Sequence, residues 1–128
     1  MLSQHTPVAT LPATDLSRAR SFYEDTLGLS VERESSGGIS YTSGNAGLFV
    51  YESSYAGTNK ATAVSFDVPA SAFQEEIDAL RARGVEFMTF DAEGMTWNDG
   101  VATMGESMQS VWFNDPDGNI INVSTGAM

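Results

Sequence analysis

The sequence predicts an α+β fold of two tandem βαβββ modules, which form a curved mixed sheet around a cup-shaped pocket. Three observations support this prediction: strand-like and helix-like hydrophobic patterns, their recurrence in the second half of the chain, and a globular composition. Of the 128 residues, 41% are hydrophobic and 18% are charged, which is typical of a folded domain. The length fits one domain, so we expect residues 1–128 to form a single domain.

The first predicted module spans about residues 8–52. Val8–Ala13 alternates in polarity and predicts a short strand. Asp15 suits a helix N-cap, and apolar residues at helical spacing then lead to Gly28, a typical C-terminal cap. Glycine-containing turns separate the three strands that follow, which are predicted at Val31–Glu34, Ile39–Thr42 and Leu48–Glu52.

The second predicted module begins after a small, polar segment at residues 53–60 that indicates a linker, and it spans about residues 61–125. Ser71 and Gln74 fit the capping-box pattern at the start of a helix that ends at Gly84. The strands of this module are predicted at Ala63–Val68, Val85–Phe90, Ser110–Phe113 and Ile120–Ser124.

The two modules form an internal repeat. Val8 and Ala63 are 55 residues apart, and Gly28 and Gly84 are 56 residues apart. In each module the helix would cover one face of a small sheet and leave the other face to line the cup. The second module also contains residues 92–106, predicted as a long loop, in which Trp97 either caps a site or covers the core.

The charge balance restricts the partners that we expect. Six Lys and Arg residues stand against 17 Asp and Glu residues, a net charge of −11 that disfavours nucleic acid and anionic membrane surfaces. The same charge would attract a cationic ligand; the alternative is that it only keeps the protein in solution. No cysteine is present, no signal peptide is recognised and no apolar run reaches membrane-spanning length, so we expect a cytoplasmic protein.

Two segments resemble motifs of a known superfamily. They are Arg20–Leu29 (RSFYEDTLGL), at the end of the first helix, and Trp112–Ile121 (WFNDPDGNII), at the last turn. With Leu11–Leu16 (LPATDL), the chain resembles the vicinal-oxygen-chelate superfamily of glyoxalase, bleomycin-resistance and extradiol-dioxygenase-like proteins over nearly its whole length. This resemblance implies paired βαβββ modules, a cup-shaped site for a small molecule and a homodimer.

The resemblance also assigns metal-ligand positions. Metal-dependent members hold a divalent metal with His, Gln or Glu, and their substrates chelate it through neighbouring oxygens. Three of these positions fall on Val8, Ala63 and Asn122, of which only Asn122 has a donor atom, and a neutral one. We therefore expect no metal cofactor, unless a divalent ion is held at a non-standard site such as His5, Glu52 and Asp67.

Strand alternation gives a list of residues for the cup. These residues are mostly aromatic or apolar, with a few hydroxyl, amide and carboxylate groups, which is the usual composition of a small-molecule pocket. The predicted pocket residues are Thr10, Tyr41, Phe49, Tyr51, Ser65, Asp67, Met88, Phe90, Trp97, Met104, Trp112 and Asn122. The alternative is that the aromatic residues only fill the core.

Three functional hypotheses follow, each from a different class of protein. The first is a metal-independent binding protein for a cationic or aromatic drug or metabolite, similar to the bleomycin-resistance proteins. The second is a lyase, isomerase or dioxygenase with a displaced metal site, or with acid–base chemistry from Asp67, Tyr51 and His5. A third hypothesis is a small dimeric domain that binds a common metabolite or serves a partner protein.

Overall fold

The computed structural model describes residues 1–125, which fold into two compact units. Unit 1 comprises Met1–Ala63 together with the turn Asp115–Asn119. Unit 2 comprises Val64–Asn114 and the segment that begins at Ile120. The last turn of the second sequence module therefore packs as part of unit 1.

Unit 1 contains one sheet, a short 3-10 helix at Leu2–Gln4 and a longer helical segment that begins with α1. Its elements are β1 (Ala9–Ala13), α1 (Leu16–Arg20), β2 (Ser30–Ser35), β3 (Gly38–Ser43) and β4 (Ala46–Glu52). The four strands lie in the order β1-β4-β3-β2. β1 runs parallel to β4, whereas β4, β3 and β2 are successively antiparallel, as in a βαβββ module.

The helical segment of unit 1 departs from a regular helix. Asp15 caps α1 as predicted, because its carboxylate accepts hydrogen bonds from the backbone N–H groups of Ser17 and Arg18. After one turn the chain continues as a π-helix, Ser21–Thr26, in which Leu27 N–H bonds to the carbonyl of Phe22. Gly28 then ends the segment with a φ of 73°, the left-handed conformation that glycine adopts most easily.

The core of unit 1 lies on one face of its sheet. Alternate residues of β1, β3 and β4 are buried on this face, together with the inner side of the helical segment. They are Leu11, Ala13, Ile39, Tyr41, Leu48, Val50, Ala19 and Tyr23. The opposite face carries half-buried or exposed residues at the intervening positions, as strand alternation requires.

Unit 2 contains a second sheet and the longer helix. Its elements are β5 (Thr62–Asp67), α2 (Ala70–Ala82), β6 (Met95–Asn98), β7 (Val101–Met104), β8 (Met108–Asn114) and β9 (Ile120–Ser124). The five strands lie in the order β5-β9-β8-β7-β6. The core combines the buried stripe of α2 with buried residues of β8 and β9, namely Phe73, Ile77, Leu80, Val111, Phe113, Ile121 and Val123.

Two predictions for unit 2 are wrong. Val85–Phe90 is not a strand, because it joins the sheet only through a single bridge in which Met88 N–H donates to the carbonyl of Trp112, 2.8 Å away. Residues 92–106 are not a plain loop but contain the β6–β7 hairpin. The hairpin turns at Asp99 and Gly100, whose φ angles of 50° and 79° suit a tight two-residue turn.

The start of α2 also differs from the prediction. The N-cap is Pro69, whose side chain makes no capping hydrogen bond, and the helix begins at Ala70. Ser71 lies inside the first turn, so the Ser71–Gln74 capping box does not form; Gln74 instead donates a hydrogen bond to Asp78, 2.9 Å away. Gly84 follows the helix with a φ of 87°, in the left-handed conformation predicted for it.

The order of strands and helices confirms the predicted α+β class and the two successive modules. Among residues 1–125, the longest helix is α2 with 13 residues, and no helix has the length and apolar character needed to cross a membrane.

Candidate functional site

Three aromatic rings meet on one face of the sheet in unit 2. Phe90 and Trp112 are 4.9 Å apart between ring centroids, Phe90 and Trp97 are 5.3 Å apart, and the two indoles are 6.1 Å apart. Both phenylalanine contacts are edge-to-face, with interplanar angles of 76°. This geometry is favourable for aromatic pairs, so the cluster is well packed.

The strand register shows which residues accompany this cluster. Trp97 pairs with Ala102, Ala102 pairs with Ser110, and Trp112 pairs with Asn122. Directly paired residues of antiparallel strands point to the same face, and Ser110 and Trp112 are two residues apart. We call this surface the Trp97 face and define it by Trp97, Ala102, Ser110, Trp112 and Asn122.

The Trp97 face has a buried floor and a more open margin. Trp112 is 5% exposed and Asn122 is fully buried, whereas Trp97 is half-buried and Phe90 is 39% exposed. Met88 and Met104 are half-buried and belong to the same margin, since Met88 bridges to Trp112 and Met104 continues the alternation from Ala102. The structure thus brings together six of the twelve predicted pocket residues, namely Met88, Phe90, Trp97, Met104, Trp112 and Asn122.

The amide of Asn122 is the main polar group of the floor. Its Nδ2 donates hydrogen bonds to Ser110 Oγ at 2.6 Å and to the carbonyl of Val111 at 3.0 Å. Its Oδ1 is enclosed and receives no hydrogen bond from the described residues. An amide oxygen has two lone pairs, and leaving a buried acceptor without a donor is costly, so a donor that reached Oδ1 would form a favourable hydrogen bond.

Two predicted pocket residues lie on β5. Ser65 and Asp67 are exposed and share one face of the strand, and Val64 and Phe66 are half-buried on the other. The two predicted pocket residues of β5 therefore lie on its more exposed face.

Unit 1 carries a second aromatic surface. Thr10 pairs with Phe49 and Pro12 pairs with Tyr51, on the face of the sheet opposite to the core. The Phe49 and Tyr51 rings are parallel, with centroids 6.0 Å apart, and both side chains are half-buried. Three of the predicted pocket residues, Thr10, Phe49 and Tyr51, therefore share a face, which we call the Tyr51 face.

Gly38 determines how the Phe49 ring lies on the Tyr51 face. A Cβ atom at Gly38 would be 2.4 Å from Phe49 Cζ and 2.9 Å from the carbonyl oxygen of Val50. No side chain fits there, so the ring lies directly over the backbone of β3.

Tyr41 is placed differently from its prediction as a pocket residue. It pairs with Leu48 and is fully buried on the core face of unit 1. Its ring lies 6.0 Å from that of Tyr23, and its hydroxyl donates a hydrogen bond to Glu24 Oε2 at 2.9 Å. Burial is the main cause that raises the pKa of Tyr41 above its ordinary value, and the hydrogen bond to Glu24 is the second cause. The hydroxyl therefore stays protonated.

The turn Asp115–Asn119 forms a buried polar cluster that the sequence did not indicate. Asp115 accepts hydrogen bonds from Tyr23 Oη at 2.6 Å and from Asn119 Nδ2 at 2.8 Å, and Asn119 Nδ2 also bonds to the carbonyl of Pro12. Asp117 accepts from the backbone and hydroxyl of Thr14 at 3.1 and 2.8 Å. The turn is thereby bound to β1 and to the helical segment of unit 1.

Tyr23 lies at the centre of this cluster. Burial is the main cause of the raised pKa of its hydroxyl, and the carboxylate of Asp115 adds to the effect. The hydroxyl therefore remains a donor to Asp115 at physiological pH. The π-helical segment that carries Tyr23 is thereby joined to the Asp115–Asn119 turn by a structural hydrogen bond.

The positions that the resemblance assigns to metal ligands do not fit a metal. Val8 and Ala63 have no donor atoms, and Asn122 offers one neutral oxygen while its nitrogen is engaged with Ser110 and Val111. Among residues 1–125, no three or more His, Asp or Glu side chains are grouped closely enough to hold an ion. The alternative His5, Glu52 and Asp67 are each exposed and form no such group.

Glu52 lies beside a shallow cleft in unit 1. The cleft has a volume of about 320 Å³ and is lined by Thr14, Glu52, Ser53 and Ser54. It is open to solvent and contains none of the predicted pocket residues.

Comparisons with known proteins agree with the fold. The Glyoxalase/Bleomycin resistance protein/Dioxygenase superfamily profile matches residues 5–123, and a search of curated protein sequences returns no match. A glyoxalase/bleomycin resistance protein/dioxygenase structure from Alicyclobacillus acidocaldarius is 17% identical with a TM-score of 0.74, covering 94% of this chain and 90% of that one.

Two other solved structures are similar. Lactoylglutathione lyase from Agrobacterium tumefaciens is 18% identical with a TM-score of 0.71, covering 95% of this chain and 93% of that one. The fosfomycin resistance protein FosX from Listeria monocytogenes, complexed with Mn(II) and a sulfate ion, is 16% identical with a TM-score of 0.74, covering 100% and 94%. At these identities the likeness shows a common fold, and together with the profile match it shows that the chain belongs to the glyoxalase/bleomycin resistance protein/dioxygenase superfamily.

Proposed function

We propose that this chain binds a small, flat, cationic or aromatic organic molecule at the Trp97 face, and that binding requires no metal ion. The observation that carries the proposal is the combination of the Phe90, Trp97 and Trp112 rings with Asn122, whose Oδ1 receives no hydrogen bond from residues 1–125. Aromatic walls with few polar groups are the usual composition of small-molecule sites.

The preference for a cation rests on two features. Indole rings attract a cation that lies over their faces, by about 0.5–1 kcal/mol at exposed sites and more when water is excluded. The net charge of −11 adds a long-range attraction for positive ligands. Asp91 and Glu93 follow Phe90 closely in the chain and are both exposed, so negative charge is also present locally.

The independence from metal rests on the donor atoms. At Val8 and Ala63 the superfamily's ligand positions carry hydrocarbon side chains, and Asn122 is a weak neutral donor. FosX from Listeria monocytogenes, a structural neighbour, was crystallised with Mn(II). The donor chemistry of this chain favours a binding role over reactions that proceed through a bound metal.

The proposal includes a homodimer of single-domain subunits, as the superfamily resemblance implies. Val8 is 51% exposed and Val31 is 39% exposed, and an interface between two copies would cover apolar surface of this kind. Sedimentation velocity of the full chain tests this: one species of monomer mass at all concentrations would contradict it.

Calorimetric titration tests the binding site with a defined probe. N-methylacridinium, a flat permanent cation, should bind the EDTA-treated protein, and neutral acridine should bind more weakly. Trp97→Leu should weaken binding of the cation by about tenfold, because a lost cation–π contact of about 1.4 kcal/mol corresponds to that factor.

The matched control for this titration is Tyr55→Leu. Tyr55 is 75% exposed in a polar turn of unit 1 and belongs to neither aromatic face. Its replacement should leave the affinity unchanged. Equal affinity of the Trp97→Leu variant and the unmodified chain, or binding only when a divalent ion is added, would contradict the proposal.

A further inference from the structure

We infer that Arg81 is the positioning residue of the Trp97 face: it holds the β6–β7 hairpin against α2 and so fixes the place of Trp97. This inference rests on the proposed binding role of that face. It concerns a half-buried arginine of α2 that is not among the pocket residues predicted from the sequence.

The guanidinium of Arg81 makes three contacts with the region of the hairpin turn. Its NH2 group donates a hydrogen bond to the backbone carbonyl of Asp99 and lies 3.5 Å from that residue's carboxylate. Its Cζ lies 5.0 Å from the centroid of the Phe87 ring. A single side chain of α2 therefore contacts both the hairpin turn and the segment beneath it.

The turn is shaped to receive this contact. Asp99 and Gly100 have φ angles of 50° and 79°, the left-handed values of a tight two-residue hairpin turn, and the Asp99 carbonyl accepts the hydrogen bond from Arg81. A Cβ at Gly100 would be 3.2 Å from Phe87 Cβ and 3.9 Å from Arg81 NH2, so the turn lies directly on both side chains. Phe87 in turn packs against Phe113 of the core, with ring centroids 6.1 Å apart.

The outer strand of the hairpin, β6, has a neighbouring strand on one side, so a contact that holds its turn adds to its support. β6 is an edge strand, and within the described part of the chain its strand partner is β7, through four residue pairs. Trp97 is the third residue of β6 and lies two residues before Asp99. Fixing the turn therefore fixes the residue that completes the aromatic cluster with Phe90 and Trp112.

The backbone hydrogen bond and the ring contact carry the effect, and the ion pair adds little. The Asp99 side chain is 90% exposed, and exposed ion pairs contribute little stability because solvent screens them. Asp99→Asn keeps the carbonyl and tolerates the left-handed conformation, so the hairpin should stay in place in that variant. Arg81→Met removes both the hydrogen bond and the charge over Phe87 while keeping the apolar stem.

Hydrogen exchange and indole NMR of the full chain test the inference without a ligand. Arg81→Met should speed amide exchange across β6 and β7 and should shift or broaden the Trp97 indole N–H resonance. The global unfolding midpoint should change little. Arg83→Met is the matched control, since Arg83 is an exposed residue at the same helix end whose guanidinium donates a hydrogen bond back to the carbonyl of Ala79 in its own helix.

Titration with N-methylacridinium gives the functional readout. Arg81→Met should weaken the affinity by about threefold to tenfold through the displaced indole, whereas Arg83→Met and Asp99→Asn should leave it unchanged. Unchanged exchange and an unchanged Trp97 resonance in Arg81→Met would overturn the inference. Failure of the unmodified chain to bind the probe would instead contradict the proposed function, and the exchange data would still decide the role of Arg81.

Discussion

Tyr23 joins two parts of the sequence that are 92 residues apart, because its hydroxyl donates a 2.6 Å hydrogen bond to the buried carboxylate of Asp115. Asp115 is 6% exposed and also accepts hydrogen bonds from the backbone of Asp117 and Asn119. A buried carboxylate is stable only while its donors remain, so each of them contributes to the stability of unit 1.

Tyr23→Phe should lower the free energy of unfolding by about 1–3 kcal/mol, because Asp115 Oδ2 loses a buried donor. Urea denaturation measures this value. Tyr55→Phe, at a position that is 75% exposed, is the control and should change it by less than about 0.5 kcal/mol. Equal stability of the two variants would show that the hydroxyl contributes nothing to folding.

The same tyrosine predicts a dependence on alkaline pH. The folded-state pKa of Tyr23 is raised by burial, so its contribution is complete below the ordinary tyrosine pKa of 10.0. Above about pH 10 the unfolded chain ionises first, and stability should fall by up to about 1.4 kcal/mol per pH unit for this group. Urea midpoints measured across this range should decline less steeply in Tyr23→Phe than in the unmodified chain.

Asn122→Asp should destabilise unit 2 at neutral pH. The change replaces two hydrogen-bond donors, to Ser110 and Val111, with an acceptor in a fully buried position. Burial would raise the pKa of the introduced carboxyl, so the loss should grow as pH rises above about 4 and should shrink in acid. Asn114→Asp, an exposed site on the same sheet, should show neither effect in urea titrations at two pH values.

Alternation along a single strand is enough to place Phe49 and Tyr51 on the same face of β4. Thr10, Phe49 and Tyr51 share a face because neighbouring strands continue the alternation of β1. The placement of Tyr41 required the register of β3 with β4, which pairs it with buried Leu48, and the sequence does not contain that register.

At the scale of elements, the Gly38 and Phe49 contact makes a sharp prediction for β3. Gly38→Ala would bring Cβ to 2.4 Å from Phe49 Cζ, so we expect a loss of about 1–3 kcal/mol and a displaced Phe49–Tyr51 stack. Gly37→Ala is the control, because a Cβ there meets nothing within 4 Å. Thermal unfolding and aromatic NMR shifts measure both changes; equal behaviour of the two variants would contradict this packing.

The β6–β7 hairpin shows which signal the sequence interpretation missed. Asn98-Asp99-Gly100 lies between two alternating segments, which is a hairpin pattern, yet the three glycines of residues 92–106 favoured a loop. Val85–Phe90 has strand-like composition but only one bridge to Trp112, because β7 occupies the neighbouring position along β8. The two segments, Val85–Phe90 and β7, compete for the same edge of β8. This competition depends on the tertiary structure and cannot be predicted from local composition.

At the scale of the whole molecule, the repeat of the sequence predicted the two modules correctly, since both sheets follow the same strand–helix–strands order. The repeat did not reveal that Asp115–Asn119 packs with unit 1. That assignment depends on buried hydrogen bonds of Asp115, Asp117 and Asn119, whereas the sequence indicated only a turn.

The net charge of −11 predicts the salt dependence of ligand binding. Binding of N-methylacridinium should weaken as salt is raised above about 0.1 M, where the Debye length is about 10 Å, because the attraction is screened. Calorimetric titration of neutral acridine under the same conditions supplies the control and should show little change. A cation affinity that is independent of salt would contradict the electrostatic part of the proposal.

The central claim is that this member of the superfamily binds its ligand without a metal. Thermal unfolding of chelator-stripped full-length protein, with and without Ni²⁺, Zn²⁺, Mn²⁺ and Fe²⁺, tests it most directly, because an ion that binds the folded state raises the melting temperature. We predict no upward shift with any ion and a shift with N-methylacridinium alone. A saturable upward shift with one ion, at about one ion per chain, would contradict the claim and would give first place to an enzyme with a displaced metal site.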